Sequence, residues 1–298
     1  MIKFLFLDLD DTILDFKKAE AVALDTTLRQ FGMEPTEAVR SRYHHINKSF
    51  WEALERKEVT RQQVLVGRFQ QLFDEMGIAA DATVISEAYK ENLGIGHYFL
   101  PGAEEAVKAL SKEYDLYLMS NGTTTVQNSR LDSAGIRPYF KDIFISQQIG
   151  VNKPDKEYFL RCFERIDGFE PQKALIVGDS LTSDILGGIN AGIATCWVNP
   201  TGAEPRIRPD YEIPSITELA ALLKTLYKQK RRRGLSFLFS VENTRNLPHP
   251  ALLSTPPGYG IFILTYVRGN RRVPCAAGQQ FRDLCQRAAA AAGKAVFS

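Results

Sequence analysis

Several short apolar runs in this chain stop abruptly on polar residues, and that pattern limits the fold more than any other feature of the sequence. Ile2 to Leu7 is almost unbroken and ends at Asp8, Leu116 to Met119 ends in Ser120-Asn121-Gly122, Ile143 to Ile145 ends in Ser146, and Ala174 to Val177 ends in Gly178-Asp179. A further run, Ala194 to Val198, follows the helix-stop sequence Asn190-Ala191-Gly192. Strands without polar alternation are covered on both faces, as in a parallel sheet. Helical patterns separate the runs, so the expected class is α/β: a doubly wound parallel sheet with a Rossmann-like core. Ligands of such sheets sit at the carboxyl ends of the strands. The polar residues that close the first four runs fall there.

From about Asp15 to Gly96 the alternation is interrupted by four helix-like segments. In the second, Val39, Tyr43, Ile46, Phe50 and Leu54 form one apolar stripe; in the third, Leu65, Phe69, Leu72, Phe73 and Met76 do the same. Asn47 and Trp51 stand on the margin of the first stripe and Arg68 on that of the second, positions that usually pack a cap or face solvent. The expected organisation is an α/β core of residues 1–14 and 97–227, an inserted helical cap of 15–96, and an extension of 228–298. A helical pattern from about Thr217 to Tyr227 closes the core.

Charge separates the extension from the rest. The net charge of +2 hides 12 basic against 2 acidic side chains in residues 225–298, which leaves 25 basic and 33 acidic in the preceding 224. The body therefore carries no sign of nucleic-acid affinity, and such contact is expected only through the basic extension. That segment opens with Lys228-Gln229-Lys230-Arg231-Arg232-Arg233, is rich in proline, and bears no aromatic-bearing binding motif. It reads either as an appended module for nucleic acid or acidic partners, or as a segment without evolved function such as a fused or shifted reading frame; the missing motif favours the second. No apolar run approaches the roughly 20 residues that span a bilayer, and no leader pattern follows Met1. A soluble, cytoplasmic protein without membrane contact is expected. Cys162, Cys196, Cys275 and Cys285 lack metal-ligand spacing and read as reduced thiols.

The chemistry begins at Asp8-Leu9-Asp10-Asp11-Thr12, where Asp8 and Asp10, two residues apart beyond a strand end, can aim at one small site. Phosphoryl transfer needs a nucleophile, a proton donor for the leaving oxygen, and positive charge around the transferred group. Two carboxylates fill the first two roles, and Mg²⁺ held on carboxylate oxygens supplies part of the third. Thr12 is placed to hydrogen-bond and orient Asp10. Ser120-Asn121-Gly122 brings neutral donors to the same rim. Lys153-Pro154-Asp155 opens a helix, with Pro154 suited to its first position, so that Lys153 faces an anion and Asp8. Asp179, at another strand end, is a third acidic contributor to the cation, and Asp184 is placed to bind a metal-held water or Lys153.

In this order these motifs resemble the haloacid dehalogenase-like superfamily, in the branch whose helical cap follows the first motif, over about residues 1–227. The resemblance implies that Asp8 is the nucleophile and Asp10 the acid/base, that Ser120, Asn121 and Lys153 bind phosphate, and that Asp8, the Asp10 backbone carbonyl and Asp179 hold Mg²⁺. Dehalogenating members lack an aspartate at the place of Asp10, so phosphatase chemistry is expected. Phosphonate-cleaving members use a cap lysine; Lys48 or Lys57 could imitate it, but no motif supports that. Asn47-Lys48-x-x-Trp51, Gly67-Arg68-Phe69, Ile149-Gly150-Val151-x-Lys153-Pro154 and Asp184 to Trp197 are similar to bacterial pyrimidine 5'-nucleotidases. That similarity implies a nucleoside monophosphate as substrate and Asn47, Trp51 and Arg68 as readers of its leaving group. The alternatives are a sugar-phosphate or phosphoglycolate-type phosphatase or phosphomutase, and a non-enzymatic binding protein, against which the intact acids and Lys153 argue.

Overall fold

The computed structural model describes residues 1–229. Six parallel strands form one sheet in the order β3-β2-β1-β4-β5-β6: β1 Phe4–Leu7, β2 Asp115–Ser120, β3 Asp142–Ile145, β4 Ala174–Gly178, β5 Ala194–Val198 and β6 Tyr211–Ile213. The first five correspond to the apolar runs of the sequence. β6 escapes sequence reading because it is three residues long, with only Ile213 buried. The strand order reverses between β1 and β4, where a doubly wound sheet opens its ligand crevice.

Alternate side chains of β1 feed two different cores, as strand periodicity requires. Leu5 and Leu7 pack with Val107 and Leu110 of α5 (Ala103–Leu110), and with Leu219 and Leu223 of the closing helix, residues 219–229. Phe4 and Phe6 face Tyr158, Phe159, Cys162 and Phe163 of the helix Lys156–Phe163. Both sheet faces are thus covered, which is why the strands carry almost no polar side chains. Among the described residues Cys162 and Cys196 form no disulfide; both are buried, and burial pushes both thiols up to about 12.

Between β1 and β2, before α5, run α1 (Phe16–Gln30), α2 (Glu37–Glu55), α3 (Arg61–Met76) and α4 (Ala82–Ile95). Their ends are marked locally: Asp15, Thr36, Thr60 and Asp81 each accept a backbone amide as N-cap, and Thr60 with Gln63 forms a capping box. The stripes meet in one apolar cluster that includes Tyr43, Ile46, Phe69, Leu72 and Phe73, joined by Val126 from α6 (Thr124–Ala134). Met76, assigned to the stripe, is exposed instead, because it lies in the last turn before Gly77 ends α3 in a left-handed conformation. No helix among the described residues is long and apolar enough to cross a membrane. The expectations for the extension beyond Gln229, with Cys275 and Cys285, lie outside the described residues.

Candidate active site

Asp8 follows β1 and keeps its backbone in the sheet, donating its amide to the Val177 carbonyl at 2.9 Å. Its carboxylate, on a side chain 10% exposed, accepts Lys153 Nζ at 2.6 Å. The same ammonium donates to Asp184 Oδ1 at 2.6 Å and to the Met119 carbonyl at 2.7 Å, which saturates its three protons. Asp8, Asp179 and Asp184 each offer an oxygen within 4.8 Å of the others. Three carboxylates thus cluster around a buried lysine that pairs with two of them, Asp8 and Asp184. Burial pushes the Asp8 carboxyl up to about 8, with Asp184 and Asp10 adding to the rise and Lys153 opposing it. Burial, then Asp8 and Asp184, drive Asp179 well above the usual carboxylate range. Burial works against the charge of Lys153, but Asp184 and Asp8 together outweigh it and hold the ammonium above the ordinary lysine range.

Local backbone aims these groups. After β4, Ser180 caps a single π-helical turn, Leu181–Ile185, by accepting the Ser183 amide at 3.1 Å. The wide turn folds Asp184 back over Gly178, and the Ser180 amide holds Asp184 Oδ2 at 3.2 Å. Trp197 of β5 donates its indole N–H to the Asp179 carbonyl at 2.7 Å and fixes that loop.

Three sequence expectations need correction here. Thr12 does not orient Asp10: among the described residues its buried hydroxyl has no hydrogen-bond partner, and Asp10 is taken by two residues of α6. Gln127 Nε2 donates to Asp10 Oδ2 at 2.7 Å, and Arg130 Nη1 pairs with Asp10 Oδ1. Pro154 is not the first residue of its helix; Asp155 is the N-cap, accepting the Glu157 amide at 3.0 Å, so Pro154 lies before the cap. The side chain of Asn121 is no free donor: its oxygen accepts the Lys153 amide at 2.9 Å and its nitrogen donates to the Lys153 carbonyl and Ser183 Oγ. Ser120, buried at the end of β2, accepts from Gln127 Nε2 at 2.7 Å and from the Gly122 amide at 3.1 Å.

Asn47 and Arg68 are not solvated margins but buried partners, 3% and 2% exposed. Arg68 Nη1 donates to Asn47 Oδ1 at 2.7 Å, Asn47 donates to Glu20 at 2.6 Å, and His44 meets the other Glu20 oxygen at 2.7 Å. The Arg68 guanidinium also stands 4.8 Å from the Tyr89 ring centre. Trp51 lies apart from this network, 5.6 Å from the guanidinium of Arg61. Lys48 and Lys57 are occupied at the surface by Glu52 and Asp155.

Arg61, the first residue of α3, is a contact that sequence reading missed. It donates to the carbonyls of Asn121 and Gly122 at 2.8 and 3.2 Å, and to Ser146 Oγ and Asn152 Oδ1. Burial pulls its guanidinium down to about 10. Glu55, at the end of α2, accepts Thr182 Oγ1 at 2.8 Å, and burial raises its carboxyl to about 7. The α2–α3 hairpin thus touches the loops after β2, β3 and β4.

The family model for haloacid dehalogenase-like hydrolases matches residues 2–192. The chain is 42% identical to the HAD-hydrolase YfnB of Bacillus subtilis, whose magnesium-bound crystal structure aligns with a TM-score of 0.72 over 74% of this chain and 98% of that one. It is 40% identical to the pyrimidine 5'-nucleotidase PynA of Streptococcus pneumoniae, over 73% of this chain and 93% of that protein. Identity to the pyrimidine 5'-nucleotidase YjjG of Escherichia coli is 31%, over 74% and 97% respectively. With its sheet order and its buried Asp8 and Lys153 set beside these similarities, the chain belongs to the haloacid dehalogenase-like hydrolase family.

Proposed function

We propose that this hydrolase cleaves phosphate monoesters through a phospho-aspartate on Asp8, with Mg²⁺ as cofactor and pyrimidine nucleoside monophosphates as substrates. The observation that carries the reading is the buried Asp8 paired with Lys153 in the crevice between β1 and β4, with Asp10 two residues on. Asp8 attacks phosphorus while Asp10 protonates the leaving oxygen. Asp10 then takes a proton from the water that releases phosphate. Lys153 offsets negative charge on the phosphoryl oxygens and on Asp8. The Ser120 hydroxyl and the Asn121 backbone amide lie at the same rim for phosphate oxygens.

A hard divalent cation fits the residues present. Three carboxylates lie together while the one ammonium among them pairs only with Asp8 and Asp184, and among the described residues the Asp179 side chain has no hydrogen-bond donor. Asp8, the Asp10 carbonyl and Asp179 would hold Mg²⁺, with Asp184 beside them. When bound, the ion supplies positive charge to the transferred group.

Residues 15–96 serve as a cap over a core of 1–14 and 97–227, in a cytoplasmic enzyme. The similarity to two pyrimidine 5'-nucleotidases and the buried Asn47–Arg68–Glu20 network support a polar leaving group read by the cap. Phosphate release from UMP, dUMP, dTMP, purine nucleotides and hexose phosphates tests the reading. The pyrimidine nucleotides should show the highest kcat/KM, excess chelator should stop the reaction and Mg²⁺ restore it, and purified Asp8→Asn protein should be inactive while folded. Turnover by Asp8→Asn would sink the mechanism; preference for hexose phosphates would leave the mechanism but overturn the substrate.

A further inference from the structure

We propose that Arg130 and Gln127 are positioning residues that fix Asp10 for proton transfer, an inference that rests on Asp10 acting as the acid toward the leaving oxygen. The carboxylate of Asp10 is 27% exposed, open to the site on one side and held on the other. Each of its oxygens has one protein donor, Arg130 Nη1 on Oδ1 and Gln127 Nε2 on Oδ2. A carboxylate has about four lone-pair sites, so two hydrogen bonds leave capacity for a leaving oxygen or a water. The two donors brace each other, since Arg130 Nη1 also donates to Gln127 Oε1 at 3.0 Å. Gln127 Nε2 reaches Ser120 Oγ at 2.7 Å, which ties the acid to the rim assigned to phosphate.

Packing does not account for these residues. Arg130 is completely buried, and a buried guanidinium is expensive unless paired and hydrogen-bonded. Its Nε donates to the Gly96 carbonyl at 2.7 Å, just beyond α4, so one side chain links Asp10 to the chain returning from the helical insertion. Gly122 makes room for the arrangement: a Cβ there would stand 2.5 Å from Gln127 Nε2. Position matters because a catalytic group displaced by an ångström loses much of its effect.

A purely structural role would slow every substrate alike, whereas a role through Asp10 depends on the leaving group. An alkoxide such as the 5'-oxygen of UMP needs a proton as it departs; 4-nitrophenolate does not. The experiment compares kcat/KM, which reports formation of the phospho-enzyme, for UMP and 4-nitrophenyl phosphate in Asp10→Asn, Arg130→Met, Arg130→Lys and Gln127→Met. Asp10→Asn should lose about 10²–10⁴-fold on UMP and far less on the aryl ester. Arg130→Met and Gln127→Met should each lose at least about tenfold more on UMP than on the aryl ester, and Arg130→Lys should recover part of that difference. If Asp10→Asn is selective while both methionine variants lose equally on the two esters, the positioning role is overturned and the reading of Asp10 stands. If Asp10→Asn is itself unselective, the acid assignment fails and the positioning role with it. Should Arg130→Met not fold, as judged by circular dichroism, Gln127→Met decides the question with the guanidinium in place.

Discussion

Gly178 and Asp184 show how closely the site is fitted at the level of single side chains. A Cβ on Gly178 would lie 2.1 Å from Asp184 Oδ2 and 2.3 Å from its Cγ, far inside contact distance. Asp184 has little room to yield, because Lys153 holds one oxygen at 2.6 Å and the Ser180 amide the other at 3.2 Å. Gly178→Ala is therefore expected to displace Asp184, to lower stability by about 1–3 kcal/mol as overpacking does, and to reduce kcat. Thermal unfolding and steady-state kinetics check it; an unchanged Tm would mean that the π-helical turn relaxes freely. The sequence announced this site through polar residues ending buried runs, a position where an unpartnered carboxylate is too costly to be casual. Gln127 and Arg130 carried no such mark. They sit on a helix whose polar positions look like a solvated face, and their partner Asp10 is 117 and 120 positions away in the chain.

Helices α2 and α3 carry the next level of organisation, through the contacts of their shared hairpin with the strand-end loops. Arg61 donates to four acceptors there, all contributed by segments 60 or more residues distant. Arg61→Ala should leave the apolar cluster of α1–α4 intact, since Arg61 is no part of it, while raising KM at least several-fold and speeding proteolysis near residues 14–15 and 96–99. Identical kinetics and cleavage rates would show that the hairpin rests on the loops without holding them. Glu55 supplies a pH dependence for the same hairpin. Burial raises its carboxyl from an ordinary 4.5 to about 7, against the Thr182 hydrogen bond that lowers it. The folded state then binds more protons at Glu55 than the unfolded state between these two values, so this group's contribution to stability falls as pH rises through that window. In chelator, Glu55→Gln should show a smaller loss of Tm between pH 5 and pH 8 than the wild-type chain; parallel profiles would assign the pH dependence to the aspartates. Helix periodicity made α2 and α3 legible and their stripes correct except at Met76. It could not show that Asn47 and Arg68 satisfy each other across the helices, because each alone reads as a polar residue beside an apolar face.

At the scale of the whole molecule, the question is how much of the chain the catalytic unit needs. Every proposed catalytic or metal-holding residue lies between Asp8 and Asp184, and the family match ends at residue 192. Two relatives align over 73% and 74% of this chain yet over 93% and 97% of their own lengths, so about three quarters of this chain matches nearly their whole sequences. The sequence placed the end of that unit near Tyr227, and the described residues are helical from 219 through 229. Its Leu219 and Leu223 are buried against the sheet with Ile216 before them. A chain ending at Gln229 should therefore keep its kcat/KM and unfold in one cooperative transition. A chain ending at Ser215 should not, because it loses three buried aliphatic side chains at roughly 1.5–3 kcal/mol each, a large part of the total stability of an ordinary domain. Activity assays and thermal melts on the two shortened chains and the full one make the comparison. A steep fall in kcat/KM for the chain ending at Gln229 would assign residues 230–298 a part in catalysis, and full stability of the chain ending at Ser215 would show that the sheet is closed without its last helix.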